Sequence, residues 1–190
     1  SRVFHVEPQE VTPEMRRRAK AVNFGIVYGI SAFSLAQDIG VSVAEAKAYM
    51  ERYFETYQGV RQYMTDVVAK AEQAGYVQTL MHRRRALPEL KSSNFNMREF
   101  GKRVALNMPV QGTAADIMKL AMVRVHDRLG REGLRARLLM QVHDELIVEC
   151  PIEEREQVTA LLTEQMEHVA KLSVPLLAEA KSGASWYEAK

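Results

Sequence analysis

Arg16, Lys20, Phe24 and Tyr28 stand four residues apart, and they offer the first chemistry in this sequence. On an ideal helix each step of four drifts by about 40°, so the four make one slanting stripe on a single face. Two cations one turn apart can straddle a chain of phosphates, and two rings farther along can stack on a base or lie against a sugar. The stripe suits a nucleotide, although an amphipathic helix whose Arg and Lys stems lie along apolar neighbours uses the same residue types. The second candidate is Asp144, set between the apolar-rich runs 138–142 and 145–150. With the flanking strands read as buried, a carboxylate at the tip of a tight hairpin is rigid yet accessible. That suits a hard cation such as magnesium, with Glu145 as a weaker second donor. An aspartate there also serves as a plain turn former.

Two further sets are polar and extended. Arg103, Asn107 and Gln111 are again four apart, on either side of Pro109. Long polar side chains there can reach minor-groove acceptors, which look alike in all correct base pairs, so they would test pair geometry without reading sequence. Arg83, Arg84 and Arg85 can contact backbone phosphates, or simply keep a loop soluble. His143 is less attractive as a general base, because nothing in the sequence identifies a proton for it to take.

The elements that must position these residues are mostly helical. Thr12, Pro13 and Glu14 read as a helix start, and a helix over 13–28 follows, closed by Gly29. A short helix is expected over 33–39 with Gly40 after it, and Ser42 with Glu45 makes a capping box for the next. Helices are expected over 43–57 and 60–74, separated by Gly59 and closed by Gly75. The stretch 76–90, with its three arginines and Pro88, reads as a loop or an irregular strand pair. Residues 96–129 read as a helix kinked near Pro109 and Gly112. The runs 138–142 and 145–150 read as a hairpin whose turn is His143-Asp144, a departure from the Asn-Gly or Asp-Gly that such turns favour. A last helix over 152–172 and an edge strand over 175–181 complete the pattern.

The string RRRAKAVNFGIVYG, from Arg16 to Gly29, matches a motif of Arg, three residues, Lys, seven residues and Tyr-Gly. By it the chain resembles family A DNA polymerases of the bacterial polymerase I type. QVHDE at 141–145 resembles the third polymerase motif of that family, and RVALNMPVQGTAAD at 103–116 resembles a duplex-contacting helix. The resemblance implies that Arg16 and Lys20 bind the phosphates of an incoming nucleotide, with Lys20 also in the catalytic set. It implies that Phe24 lies against the sugar and that Tyr28 stacks at the template insertion position. Asp144 would bind catalytic metal, Glu145 would support it, and His143 would lie near the primer terminus. Arg103, Asn107 and Gln111 would contact the primer–template duplex, and the run Arg83, Arg84 and Arg85 would touch DNA.

The implied fold is α+β and mostly helical. A helical fingers part over 1–95 packs beside a partial palm over 96–190, which carries a small antiparallel sheet built on the hairpin. The implied activity is template-directed DNA synthesis in replication and repair, by nucleotidyl transfer from a dNTP to a primer 3′ end at a two-ion Mg2+ site. The partners are primer–template DNA and dNTP, with no obligate protein partner. The second aspartate of such a site comes, in that family, from an earlier Asp-Tyr-Ser-like motif, and none precedes Thr12 here. The chain also ends at the family's Trp-Tyr-x-Ala-Lys tail. The expectation is therefore a piece of a longer polymerase that does not extend a primer by itself.

Composition sets the outer bounds. The 190 residues are 47% hydrophobic, enough for one good core or two modest ones, and the net charge of +2 announces no polyanion by itself. A single cysteine, Cys150, excludes an internal disulfide and fits a reducing compartment such as the cytoplasm. No run approaches ~18 apolar residues, and no secretion leader is recognised. GxxxxGK[ST], GxSxG and metal-spaced histidine pairs are all missing, which argues against P-loop, hydrolase and zinc chemistry. The stretch LAQDIGVSVAEAKAYMERY has helix-turn-helix spacing. Its second helix carries Glu45, Glu51 and Glu55 against Lys47 and Arg52, a poor surface for a phosphate-lined groove.

Overall fold

The computed structural model describes residues 6–189, so Lys190 of the terminal motif lies outside the described residues. They contain six α-helices and two small antiparallel sheets and divide into two compact units, one up to Gly112 and one from Thr113.

The first unit starts, after a 3-10 turn at Pro8–Glu10, with α1 (Pro13–Val27). The Thr12 hydroxyl accepts the Met15 N–H at 3.1 Å and Pro13 occupies the first turn, as the sequence leads one to expect. The other end is sealed by paired backbone bonds: Gly29 N–H donates to the Ile26 carbonyl and Ile30 N–H to the Gly25 carbonyl. That arrangement needs a left-handed residue, and Gly29 has φ +74°. Next come α2 (Ala32–Ile39), capped by Ser31 and closed by Gly40 at φ +66°, and α3 (Val43–Thr56), whose Ser42–Glu45 capping box is formed. In α4 (Gln58–Ala74), Gly59 is the second residue and does not separate the helices. The break falls at Tyr57, whose φ of −117° and ψ of 60° are not helical. Val22, Ile26, Leu35, Ala36, Ile39, Ala46 and Tyr53 close around one another as the core of α1–α3.

Gly75 turns the chain into β1 (Tyr76–Gln78), which pairs antiparallel with β2 (Arg84–Ala86). The buried Thr79 hydroxyl ties the loop between them by accepting the N–H groups of Met81 and Arg83. His82 sits in that loop at φ +62°, a region that costs a side-chain-bearing residue about 1–2 kcal/mol. His82→Gly is therefore expected to raise stability by about 0.5–1 kcal/mol, read as a higher urea midpoint. A 3-10 turn at Pro88–Lys91 leads to α5 (Phe95–Arg131), 37 residues assigned as helix without interruption at Pro109. Ala71, Val77, Leu87, Leu90 and Ala105 form the core of this part.

In the second unit the end of α5 is followed by β3 (Arg137–Val142) and β4 (Glu145–Glu149), then a 3-10 turn at Ile152–Glu154 and α6 (Arg155–Glu167). Val125, Leu129, Ala136, Val158 and Leu161 are its core, with Leu146, Val148 and Cys150 packed against it.

Two expectations fail here. The last helix stops at Glu167 rather than near 172, because the His168 carbonyl is taken by the Arg124 guanidinium at 2.6 Å instead of a later amide, and Pro175 lies close ahead. The segment 175–181 is not a strand. It alternates between half-buried and exposed, yet no described strand pairs with it, and its Ala178 N–H donates to the Glu167 carboxylate. A strand is defined by its partner, which period-2 patterning cannot supply.

Candidate nucleotide and metal site

On α1, Val22 and Ile26 are buried while Arg16, Lys20, Phe24 and Tyr28 are exposed. The stripe is a real column: Lys20 Nζ lies 5.9 Å from the centroid of the Phe24 ring, and Phe24 and Tyr28 are stacked with centroids 6.3 Å apart. Phe24 and Tyr28 are 48% and 42% exposed, on a helix whose other face holds the buried Val22 and Ile26. The charges are sorted as well. Glu14 is bonded to both Arg17 and Arg18, whereas Arg16 and Lys20 form no ion pair among the described residues.

The side-chain bonds from Arg17 and Arg18 hold Glu14 below the usual carboxylate range, and the Ser42 hydroxyl and N–H do the same for Glu45. Both folded-state values lie below the unfolded ones, so this stability is present above about pH 4.3 and lost as pH falls through the depressed values. Acid titration of the helical circular dichroism signal is expected to show it, with Glu14→Gln and Glu45→Gln making the loss smaller.

Helix α5 is approached closely at three points in the first unit, and glycine makes each possible. A Cβ on Gly29 would stand 2.9 Å from Leu106 Cδ1 and 3.4 Å from Arg103 Cγ. The end of α1 that carries Tyr28 is thereby set against the turn that carries Arg103. A Cβ on Gly112 would stand 2.7 Å from Thr79 Cγ2, so the base of the arginine hairpin meets α5 one residue beyond Gln111. Gly101 receives Glu89 and Leu90 in the same way. Arg103 and Gln111 are exposed, and Asn107 is half-buried with its Oδ1 buried and without a partner. The end of α1 and the base of the arginine hairpin thus both approach α5 between Gly101 and Gly112. The spacing of the sequence could not reveal this, because Gly29 and Gly112 carry no side chain to signal it.

The three arginines do not form a single comb. Arg84 pairs across from Gln78 and leans over the Tyr76 ring at 4.7 Å, while Arg85 lies opposite Val77 on the other face of the hairpin.

In the second unit Val142 pairs with Glu145, leaving His143 and Asp144 as a two-residue turn. His143 has φ +53°, and the Gln141 amide donates to its carbonyl at 2.8 Å, bracing the tip. Gln141 opens the QVHDE string, and its position in the sequence assigned it no role. His143, Asp144 and Glu145 are all exposed. The flanking strands are less buried than expected, with Leu139 57% and Met140 49% exposed. The register shifts between Leu138 and Met140, and among the described residues the sheet has two strands. Asp144 and Glu145 offer the oxygens a hard cation takes. Among the described residues no three His, Cys, Asp or Glu side chains come together as a metal site.

The family model for DNA polymerase family A matches residues 1–188. The chain belongs to DNA polymerase family A. Among its family A relatives, DNA polymerase I of Bacillus subtilis (strain 168) is 57% identical over 188 residues, 99% of this chain and 21% of that protein. DNA polymerase I of Geobacillus stearothermophilus is 54% identical over 99% of this chain and 22% of its own length. A solved structure of the POL domain of Pol1 from M. smegmatis, in complex with DNA primer-template and dNTP, matches at TM-score 0.95 and 49% identity, covering 100% of this chain and 33% of that one. The chain thus spans about a fifth of the length of the curated family A relatives it matches. No helix among the described residues is long and apolar enough to cross a membrane.

Proposed function

We propose that this chain is the nucleotide-binding and part of the metal-binding portion of a template-directed DNA polymerase, which transfers a nucleotidyl group from a dNTP to a primer 3′ end. The observation that carries the reading is the exposed column of Lys20, Phe24 and Tyr28, with Arg16 ahead of it and the neighbouring arginines paired with Glu14. Arg16 and Lys20 take the triphosphate, Phe24 lies against the sugar and excludes water from it, and Tyr28 stacks at the template position. Arg103, Asn107 and Gln111 contact the primer–template duplex in the minor groove. His143 lies near the primer terminus, and Arg83, Arg84 and Arg85 reach backbone phosphates from two faces of their hairpin.

Asp144, supported by Glu145, would hold Mg2+, and the ion when bound supplies electrostatic stabilisation of the transferring phosphoryl group. Residues 1–95 form the fingers part and 96–190 the palm part in this reading. A DNA-copying role and a lone cysteine fit a reducing cytoplasm.

Titrating a fluorescently labelled deoxynucleoside triphosphate against the chain tests the core of this proposal. Saturable binding is expected, with Lys20→Ala weakening it by about tenfold or more, the scale of a lost charge-assisted contact. Binding indifferent to that substitution would overturn the assignment of the stripe.

A further inference from the structure

The buried side of α1 holds one polar link that neither the stripe nor the core explains. The Tyr53 hydroxyl, on α3, donates to Asn23 Oδ1 at 2.9 Å across thirty residues of sequence. Tyr53 is only 5% exposed, wedged among Val22, Ile26, Leu35 and Ala46. Burial pushes its phenol up, so the hydroxyl remains a donor throughout the neutral range. Asn23 is exposed all the same. It lies seven residues after Arg16, which returns it to within about 20° of that side chain, and three after Lys20. It stands at the seam between the buried face and the stripe, beside Phe24.

With Oδ1 turned inward and occupied by the phenol, the amide has one orientation left, and Nδ2 turns outward on the stripe side. Among the described residues Nδ2 has no protein partner. Its position along the axis, just past Lys20 and level with Phe24, is where phosphate gives way to sugar if the nucleotide lies along the stripe. A neutral amide held in a fixed orientation supplies directed donors there, which the flexible ammonium of Lys20 does not.

We infer that Asn23 is a further nucleotide-binding residue, donating its amide N–H groups to the phosphate nearest the sugar, and that Tyr53 is a positioning residue which holds the amide in that orientation. The inference rests on the nucleotide reading of the stripe. It adds a ligand contact and a support for it that the motif spacing does not contain.

The test is the same labelled-triphosphate titration on the 190-residue chain, with Lys20→Ala, Tyr53→Phe, Asn23→Ala, Asn23→Asp and the double variant Tyr53→Phe/Asn23→Ala. Tyr53→Phe keeps the ring and its packing, and unchanged helical circular dichroism checks that it does. Tyr53→Phe and Asn23→Ala are each expected to weaken binding about three- to tenfold. Asn23→Asp, which keeps the acceptor for Tyr53 but removes both donors and adds negative charge, should bind more weakly still. In the Asn23→Ala background, Tyr53→Phe should change affinity by less than about twofold, since its route is gone. Three results overturn the inference while leaving the stripe intact: Lys20→Ala weakens binding but Tyr53→Phe does not; Asn23→Asp binds like the unsubstituted chain; or Tyr53→Phe costs as much without Asn23 as with it. No saturable binding, or binding indifferent to Lys20→Ala, overturns the stripe reading and this inference together.

Discussion

Gly29→Ala is expected to lower the stability of the first unit by about 2–5 kcal/mol, a large share of what a domain of this size has to spare. Two separate causes add. The residue sits at φ +74°, where a Cβ costs about 1–2 kcal/mol from backbone crowding alone. That Cβ would also stand 2.9 Å from Leu106 Cδ1, on a residue only 8% exposed with little room to retreat. Forcing extra volume into such a contact typically costs about 1–3 kcal/mol. Gly40→Ala separates the two causes, because Gly40 has a similar φ of +66° and nothing within 4 Å of its virtual Cβ. Urea unfolding should place Gly40→Ala about 1 kcal/mol below the unsubstituted chain and Gly29→Ala clearly lower. Equal losses at the two positions would mean that the approach of α1 to α5 contributes nothing. The substitution also displaces Tyr28, the residue directly before it, so weaker nucleotide binding should accompany the loss.

The second large effect concerns chemistry. The 190-residue chain is expected to leave a labelled primer unextended when given a template, all four dNTPs and Mg2+, at a rate more than about 1000-fold below that of a full-length polymerase I run beside it. In-line phosphoryl transfer between two ions needs carboxylates that bridge both. The second unit presents Asp144 on the turn and Glu145 at the start of β4, and no cluster of three potential ligands forms among the described residues. Template-dependent products above background, lost in Asp144→Asn, would sink this expectation and show that a single turn suffices to recruit the ions.

What the sequence disclosed and what it withheld divide along physical lines. Helix starts were legible because caps are local: Thr12, Ser42 with Glu45, and the closing Gly40 and Gly75 each act within a few residues of themselves. The His143-Asp144 turn was legible from the apolar-rich runs on either side of it rather than from its own residues. Gly59 misled because glycine is tolerated in a first helical turn, and the actual break at Tyr57 has no signature residue. The short α6 and the absent strand over 175–181 were hidden because their ends depend on Arg124 and Glu167, far away in sequence. The stripe on α1 could be read as one face from its four-residue spacing, and its rings and ammonium do meet. That Gly29 sets α1 against Arg103, that Gln141 braces the turn and that Tyr53 holds Asn23 could not be read at all. Each joins groups whose pairing exists only after the chain has folded.

The sealed end of α1 bears on how this sequence can change over generations. A Cβ on Gly25 would meet Ile30 first, at 2.9 Å, and Gly25 has no positive φ. Alanine at 25 is therefore a mutation conditional on a smaller residue at 30, and the order of the two events decides whether a lineage survives the intermediate. Gly29 has no such escape. Its conformation would still exclude a side chain if Leu106 were trimmed, so no single compensating change opens the position. Two glycines four residues apart thus evolve under different rules, one in partnership with an isoleucine and the other alone.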